Sequence, residues 1–251
     1  MDVILNEKNY VEDILRNPYL TSKPSELLSR VARYYHHQGY TKSKIEELLE
    51  DFLIKGDPTI NIVKFQSLID RVAANAGKYE LIQIDGVSIT NNEIHSIQNL
   101  KSIRAQRVMF TLLCLAKYSN AVNKRNNNWV NKTDKEIFKL ANTMISTSSQ
   151  SLILNDLYTS GYIKFSHIID NMNIRIENVD YDGEEAIFIT DFRNLGNQYM
   201  RYIGGEYIEC SCCGLVIKRT GRTQKYCKDC AVDMNRNKTI ERYYNKHIIT
   251  I

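Results

Sequence analysis

Four cysteines near the end of the chain carry the spacing with the clearest chemistry. In Cys210-Ser211-Cys212-Cys213-Gly214 the last cysteine, Cys213, is separated by thirteen residues from the first of Cys227-Lys228-Asp229-Cys230. Each CxxC knuckle aims two thiolates at one point, and two such pairs complete the tetrahedron of a zinc site. The expected ligands are Cys210, Cys213, Cys227 and Cys230. Gly214 stands directly behind the first pair and can take the positive φ that turns backbone amides toward sulfur, which leaves Cys212 as the spare. Four protein ligands saturate zinc and leave no position for water or substrate, so a single structural ion is expected. The competing reading, two disulfides in a secreted module, needs an export signal. The N-terminus MDVILNEKNYVEDILRN has an acidic residue at position two and no apolar run behind a positive start, so it does not read as one. The sixth cysteine, Cys114, lies in an apolar helical run, and the set points to a reducing cytoplasm.

The cations around these cysteines suggest what the module touches. Residues 210–251 hold Lys218, Arg219, Arg222, Lys225, Lys228, Arg236, Lys238, Arg242 and Lys246 against Asp229, Asp233 and Glu241, a formal +6 in a chain whose total is +4. Four thiolates around one zinc ion take back roughly 2 of those charges. The segment from Val232 to Lys246 reads as a helix leaving the second knuckle with charge over most of its circumference. Cations so spaced neutralise phosphates and release counterions, giving salt-sensitive nucleic-acid binding; a solvated tail that only aids solubility is the plainer alternative. Upstream, residues 1–100 are net −3, residues 101–150 net +7 and residues 151–209 net −6. Two basic blocks flank an acidic one, which must face away from any polyanion that both blocks touch.

These residues need elements to position them. At 251 residues and 43% hydrophobic content, the chain is long enough for one or two cores, and no run approaches the length of a membrane span. Residues 1–78 read as helical. Leu27, Leu28, Val31 and Tyr34 or Tyr35 share one face behind Ser22 as a candidate cap, with Gly39 as the stop. Thr41 caps a second helix carrying Ile45, Leu48, Leu49, Phe52 and Leu53, and Pro58 precedes a third with Ile62, Val63, Phe65, Leu68, Ile69 and Val72. His36 and His37 point to different sides of a helix and read as surface residues. Leu81, Ile82 and Ile84, Asp85-Gly86, then Val87 to Ile89 read as a hairpin with a type I′ turn. Thr90 with Glu93 is a capping box, and Arg107 to Tyr118 is apolar nearly all round, so it belongs at a domain centre.

From about residue 102 to 178 the order is helix, short strand, helix, turn, helix, strand, strand. Trp129-Val130 is the short strand, and Thr133 with Glu136 caps a helix burying Ile137, Phe138 and Leu140. A helix from about Ser148 to Thr159 is expected to bury Leu152, Ile153, Leu157 and Tyr158. Tyr162 to Phe165 and Ile174 to Ile176 are strands with Asn171 and Asn173 between them. This order is similar to the winged helix of many bacterial and phage regulators and replication proteins. The resemblance implies a recognition helix with Thr147, Ser148, Ser149, Gln150 and Asn155, of which Gln150 can pair with adenine. No Lys or Arg occurs from Met144 to Tyr162, so phosphate anchors would come from Lys124, Arg125, Lys132, Lys135 and Lys139. A scaffold or protein-binding role for this part is the alternative. Asp180, Asp182, Glu184 and Glu185 read as a solvated acidic turn, followed by an apolar strand from Ala186 to Ile189.

The segment QKYCKDCA at residues 224–231 with its basic helix resembles the small zinc-ribbon proteins of phages and prophages of low-GC Gram-positive bacteria. The stretches WVNKTDKEIFKLAN and DFRNLG resemble uncharacterised phage proteins that carry such a ribbon at the C-terminus. The resemblance implies nucleic-acid binding and carries over Cys210, Cys213, Cys227 and Cys230; Cys212 departs from the simplest pattern and can stand in for Cys210. No phosphate-binding glycine loop, HExxH, GxSxG or His-Asn-His arrangement is present.

The expectation is a mainly α protein with small β elements (α+β): a helical region over 1–78, a winged-helix-like domain over 79–203 and a zinc ribbon with a basic helix over 204–251. The expected function is non-enzymatic DNA binding in transcriptional or replication control, in the host cytoplasm if phage-encoded, with no membrane partner. The expected contacts are Lys218, Arg219, Arg222, Lys225, Arg236, Lys238, Arg242, Lys124, Arg125, Lys132, Lys135 and Gln150. The alternative is an interaction protein that inhibits or redirects a host protein complex, and a homo-oligomer is compatible with either.

Overall fold

A computed structural model describes residues 3–21, 23–166 and 173–248. Among these described residues the architecture is mainly α-helical with three small antiparallel sheets. The chain forms two compact units, one of residues 4–85 and one of residues 1–3 with 86–251, so residues 79–85 belong with the helical unit. The capping residue expected at Ser22 and the turn residue Asn171 lie outside the described residues.

The first unit is built from α1 (Glu7–Arg16), α2 (Pro24–His37), α3 (Lys42–Gly56) and α4 (Gln66–Ala74). Thr41 caps α3 by accepting from the Lys44 amide. The helical spacing of apolar residues meets in one core of Leu27, Leu28, Val31, Ile45, Leu49, Leu53 and Ile69, all essentially inaccessible. Val63, expected in that core, is exposed because it sits in a 3-10 turn, Ile62–Lys64, that breaks the helical period ahead of α4. The hairpin expected across Asp85-Gly86 does not form. The Ile84 amide donates to Leu5 O at 2.9 Å and the Glu7 amide to Ile82 O at 2.8 Å. The physical reason is Glu7, a buried carboxylate satisfied by Arg33 at 2.6 Å, Arg30 at 3.4 Å and the Ile82 amide at 3.1 Å. That anchor, with Leu81 in the core, holds the segment on its own unit.

In the second unit β1 (Val87–Thr90) instead pairs antiparallel with β5 (Glu185–Ile189), Val87 opposite Ile189. Between them run α5 (Asn91–Gln98), α6 (Ile103–Val122), β2 (Trp129–Val130), α7 (Asp134–Leu140), α8 (Thr147–Thr159), β3 (Ile163–Phe165) and β4 (Ile174–Ile176). The three short strands form one sheet in the order β2-β4-β3. Both capping boxes form: Thr90 with Glu93, and Thr133 with Glu136. Helix α6 is central, burying an unbroken run from Val108 to Lys117. Lys117 enters that interior because all three of its donors are used, on Glu93 Oε2 at 2.7 Å, Ser88 O at 2.8 Å and Asp180 O at 2.7 Å. A buried cation survives only when paired and hydrogen-bonded in this way.

Helix α8 corrects a further expectation. Leu154 and Leu157 are buried, whereas Leu152 and Tyr158 are exposed and Ile153 is half-buried. Its apolar residues fall at consecutive positions, Leu152 to Leu154 and Leu157 to Tyr158, and so lie on both sides of the helix, which periodicity alone does not resolve.

Candidate metal centre

The cysteine module follows α9 (Leu195–Tyr202), with β6 (Tyr207–Glu209) and β7 (Val216–Lys218) paired antiparallel, Ile208 opposite Ile217. The first knuckle is the turn between these strands. The Cys210 amide donates to Leu215 O and the Gly214 amide to Cys210 O, each at 2.9 Å, and Gly214 has φ 72°, which glycine adopts without a Cβ penalty. The second knuckle opens α10 (Lys228–Ile248) and is fastened to the first by the Ser211 amide on Lys225 O at 2.9 Å.

The sulfurs converge. Sγ atoms of Cys210, Cys213, Cys227 and Cys230 lie within 4.8 Å of one another. Four sulfurs about 2.3 Å from one ion at tetrahedral corners stand roughly 3.8 Å apart. The Cys213 and Cys227 sulfurs are 3.9 Å apart. Backbone amides point at sulfur, Cys227 N to Cys210 Sγ at 3.2 Å and Cys230 N to Cys227 Sγ at 3.4 Å. Burial pushes the Cys210 thiol up, but amides of Cys227, Cys213 and Cys212 outweigh it and bring it down to about 6. The Cys230 thiol is raised, first by its hydrogen bonds to Cys227 and Cys213. A first thiolate is stabilised and a further one opposed, so full deprotonation of the group calls for a cation at its centre. The four cysteines fit one metal ion; Cys212 is exposed and outside the group.

The module is built onto its neighbours. Arg193 grips Asp191 at 2.7 Å and donates from the same nitrogen to Cys213 O at 2.7 Å. Asn197 on α9, almost wholly buried, donates to Val216 O at 3.0 Å and accepts from Asn142 at 2.9 Å and Arg107 at 3.2 Å. Arg107 also donates to Ala141 O at 3.0 Å and Asn142 O at 2.6 Å, and burial lowers its pKa. Helix α9 approaches the end of α7 so closely that a Cβ on Gly196 would lie 1.9 Å from Ala141 O. Sequence reading singled out neither Arg193, Asn197 nor α9. The signal present was Leu195, Tyr199 and Tyr202 at spacings of four and three.

The expected nucleic-acid contacts fall into two groups. Lys218, Arg219, Arg222, Lys225, Arg236, Lys238 and Arg242, with Lys124, Arg125 and Lys135 upstream, are exposed. Lys132 is half-buried against Glu136 at 3.8 Å, and the Gln150 amide nitrogen donates to Ile145 O at 3.1 Å, so these two are engaged within the fold. Arg219 donates to Arg222 O at 2.8 Å. Among the described residues no carboxylate pairs with any of the seven cations from Lys218 to Arg242 named above. Comparison with protein-family models, curated protein sequences and solved structures finds no match for this chain.

Proposed function

We propose that the chain is a DNA-binding protein of phage type, acting in the cytoplasm in transcriptional or replication control, whose four-cysteine centre holds one structural zinc ion. The observation that carries the reading is the set of cations Lys218, Arg219, Arg222, Lys225, Arg236, Lys238 and Arg242 at the metal module and on α10, exposed and, among the described residues, without carboxylate partners. Unpaired cations at this density repel one another and are favourable beside a polyanion, whose counterions they displace. Four thiolates in a closed site suit zinc, which takes tetrahedral sulfur sites. No step of catalysis belongs to such a centre. The order of α6 to β4 with its three-stranded sheet supports the winged-helix reading, with α8 at the recognition position.

The test is a mobility shift of zinc-loaded protein on random duplex DNA at about 50 and about 200 mM salt, the range over which phosphate contacts register. Affinity should fall steeply between the two and disappear when Arg236, Lys238 and Arg242 become Ala. Absence of binding at the lower salt sinks the proposal.

One observation favours a second reading for the central part. The outer face of α8 carries Ser148, Ser151, Leu152 and Asn155 with Leu152 64% exposed, and Met144 beside the helix is 85% exposed. Such a face suits a protein contact better than a phosphate backbone. A host partner that co-purifies after nuclease treatment and is lost on Leu152→Lys would establish it.

A further inference from the structure

The 21-residue helix α10 is roughly 30 Å long at about 1.5 Å per residue, and among the described residues no other helix or strand packs closely along it. Every residue from Asn235 to Ile240 is exposed, and so are Val232 and Arg242. Over its described side chains the helix is half-buried only at Cys230, Ala231 and Met234, so it gets little of the tertiary packing that stabilises most protein helices. Its surface is nonetheless ordered. At about 100° per residue, Lys238, Arg242, Asn235, Lys228, Thr239 and Arg236 fall in that order across an arc of roughly 160°, while Asp229 and Asp233 fall outside it. Asn235 is near the middle, the cations are on both sides, and Val232 shares the arc. The Thr239 hydroxyl is held on Asn235 O at 2.9 Å, so Asn235 supplies the free amide.

A helix about 10–12 Å across with its side chains matches the major groove of B-form DNA, about 12 Å wide. We infer that α10 is a major-groove reader of duplex DNA, with Asn235 and Arg242 facing base edges and Arg236 and Lys238 facing the phosphates on either side. This rests on the nucleic-acid reading above and names the substrate class and the reading group. An Asn side chain pairs bidentately with adenine, and Val232 offers an apolar contact for a thymine methyl. The second knuckle holds the start of α10, so the metal module orients the reader.

The experiment selects a preferred 20-base-pair duplex from a random pool. It then measures anisotropy binding to that duplex, a scrambled duplex, the single strand and the RNA duplex of the same sequence. A-form RNA has a deep, narrow major groove that closes to a helix, so the native protein should favour the selected DNA over both RNA and single strand. Asn235→Ala should lower the preference for selected over scrambled duplex roughly 10-fold with the salt slope unchanged. Arg236→Ala with Lys238→Ala should weaken binding to all duplexes alike and make the log–log salt slope shallower by about two. All three positions are exposed, and unchanged zinc content with an unchanged circular dichroism spectrum checks that the variants are folded. The inference is overturned by an intact preference in Asn235→Ala, by equal binding to RNA duplex or single strand, or by selection that yields no preferred site. Binding to none of the four probes overturns the wider nucleic-acid reading instead.

Discussion

The helical unit of residues 4–85 and the cysteine module of residues 206–230 solve the problem of staying folded by opposite means. The first closes a hydrocarbon core, with Leu27, Leu28, Val31, Leu49 and Ile69 inaccessible, and pairs much of its charge, as in Glu7 with Arg30 and Arg33 or Lys44 with Glu47. The second has two three-residue strands and little apolar interior beyond Val216, so its convergence is on four sulfurs, and Lys218, Arg219, Arg222 and Lys225 are exposed with no carboxylate partner among the described residues. A module stabilised by an ion can leave its outer face to cations; a small unit without one needs the apolar area. The comparison teaches where charge is free for a partner.

The largest effect tests the contrast directly. Stripping the metal with a chelator, or Cys227→Ser, should unfold β6, β7 and both knuckles, because structural zinc supplies on the order of 10 kcal/mol or more of folding free energy to such modules. Hydrogen exchange should show the amides of Cys210 and Gly214 losing protection while α2 and α3 keep theirs. Equal protection with and without metal would break the comparison. In the other unit, Leu49→Ala should cost about 2–5 kcal/mol in denaturant unfolding, with metal content unchanged at one ion per chain. A loss of metal in that variant would show that the two kinds of stability are not separate.

Asn197→Ala asks how far the module depends on α9. It leaves Val216 O and part of the Arg107 and Asn142 donor set without a partner, a loss of about 1–3 kcal/mol. Faster amide exchange is expected in β7 and α9 together; exchange changed in only one would show that the link carries no load. The smallest effect concerns a local cap. Burial pushes the Glu136 carboxyl up, but the Thr133 amide and hydroxyl, with Lys132 nearby, outweigh it and bring it down to about 2 from an ordinary 4.5. A depressed carboxyl contributes stability above its ordinary pKa and loses it as pH falls through the folded value. Glu136→Ala should therefore cost about 1 kcal/mol at pH 7, with the difference from the native protein shrinking as pH falls from 4.5 toward 2. A difference constant over that window would remove the carboxylate from the cap.

Legibility in the sequence followed the range of the interaction. The knuckle spacing, Gly214, and the caps at Thr41, Thr90 and Thr133 are decided within a few residues, and the chain order displays them. Asp85-Gly86 shows the limit. It is a good local turn signal, overridden because Glu7, some 75 residues away, offers its neighbours a better partner. The outward turn of Leu152 and Tyr158 was hidden for a related reason, since apolar residues at consecutive positions lie on both sides of a helix and do not say which of them meet the core.

By itself the sequence determined the four-sulfur group, the basic character of the C-terminal region and most helices, because periodicity, capping and ligand spacing are local properties of a chain. Only the tertiary structure decided that β1 pairs with β5, that Lys117 is buried on Glu93, and that Arg193 and Asn197 fasten the cysteine module to its neighbours. These arrangements satisfy buried polar groups with partners distant in sequence, and that requirement exists only once the chain has folded around them.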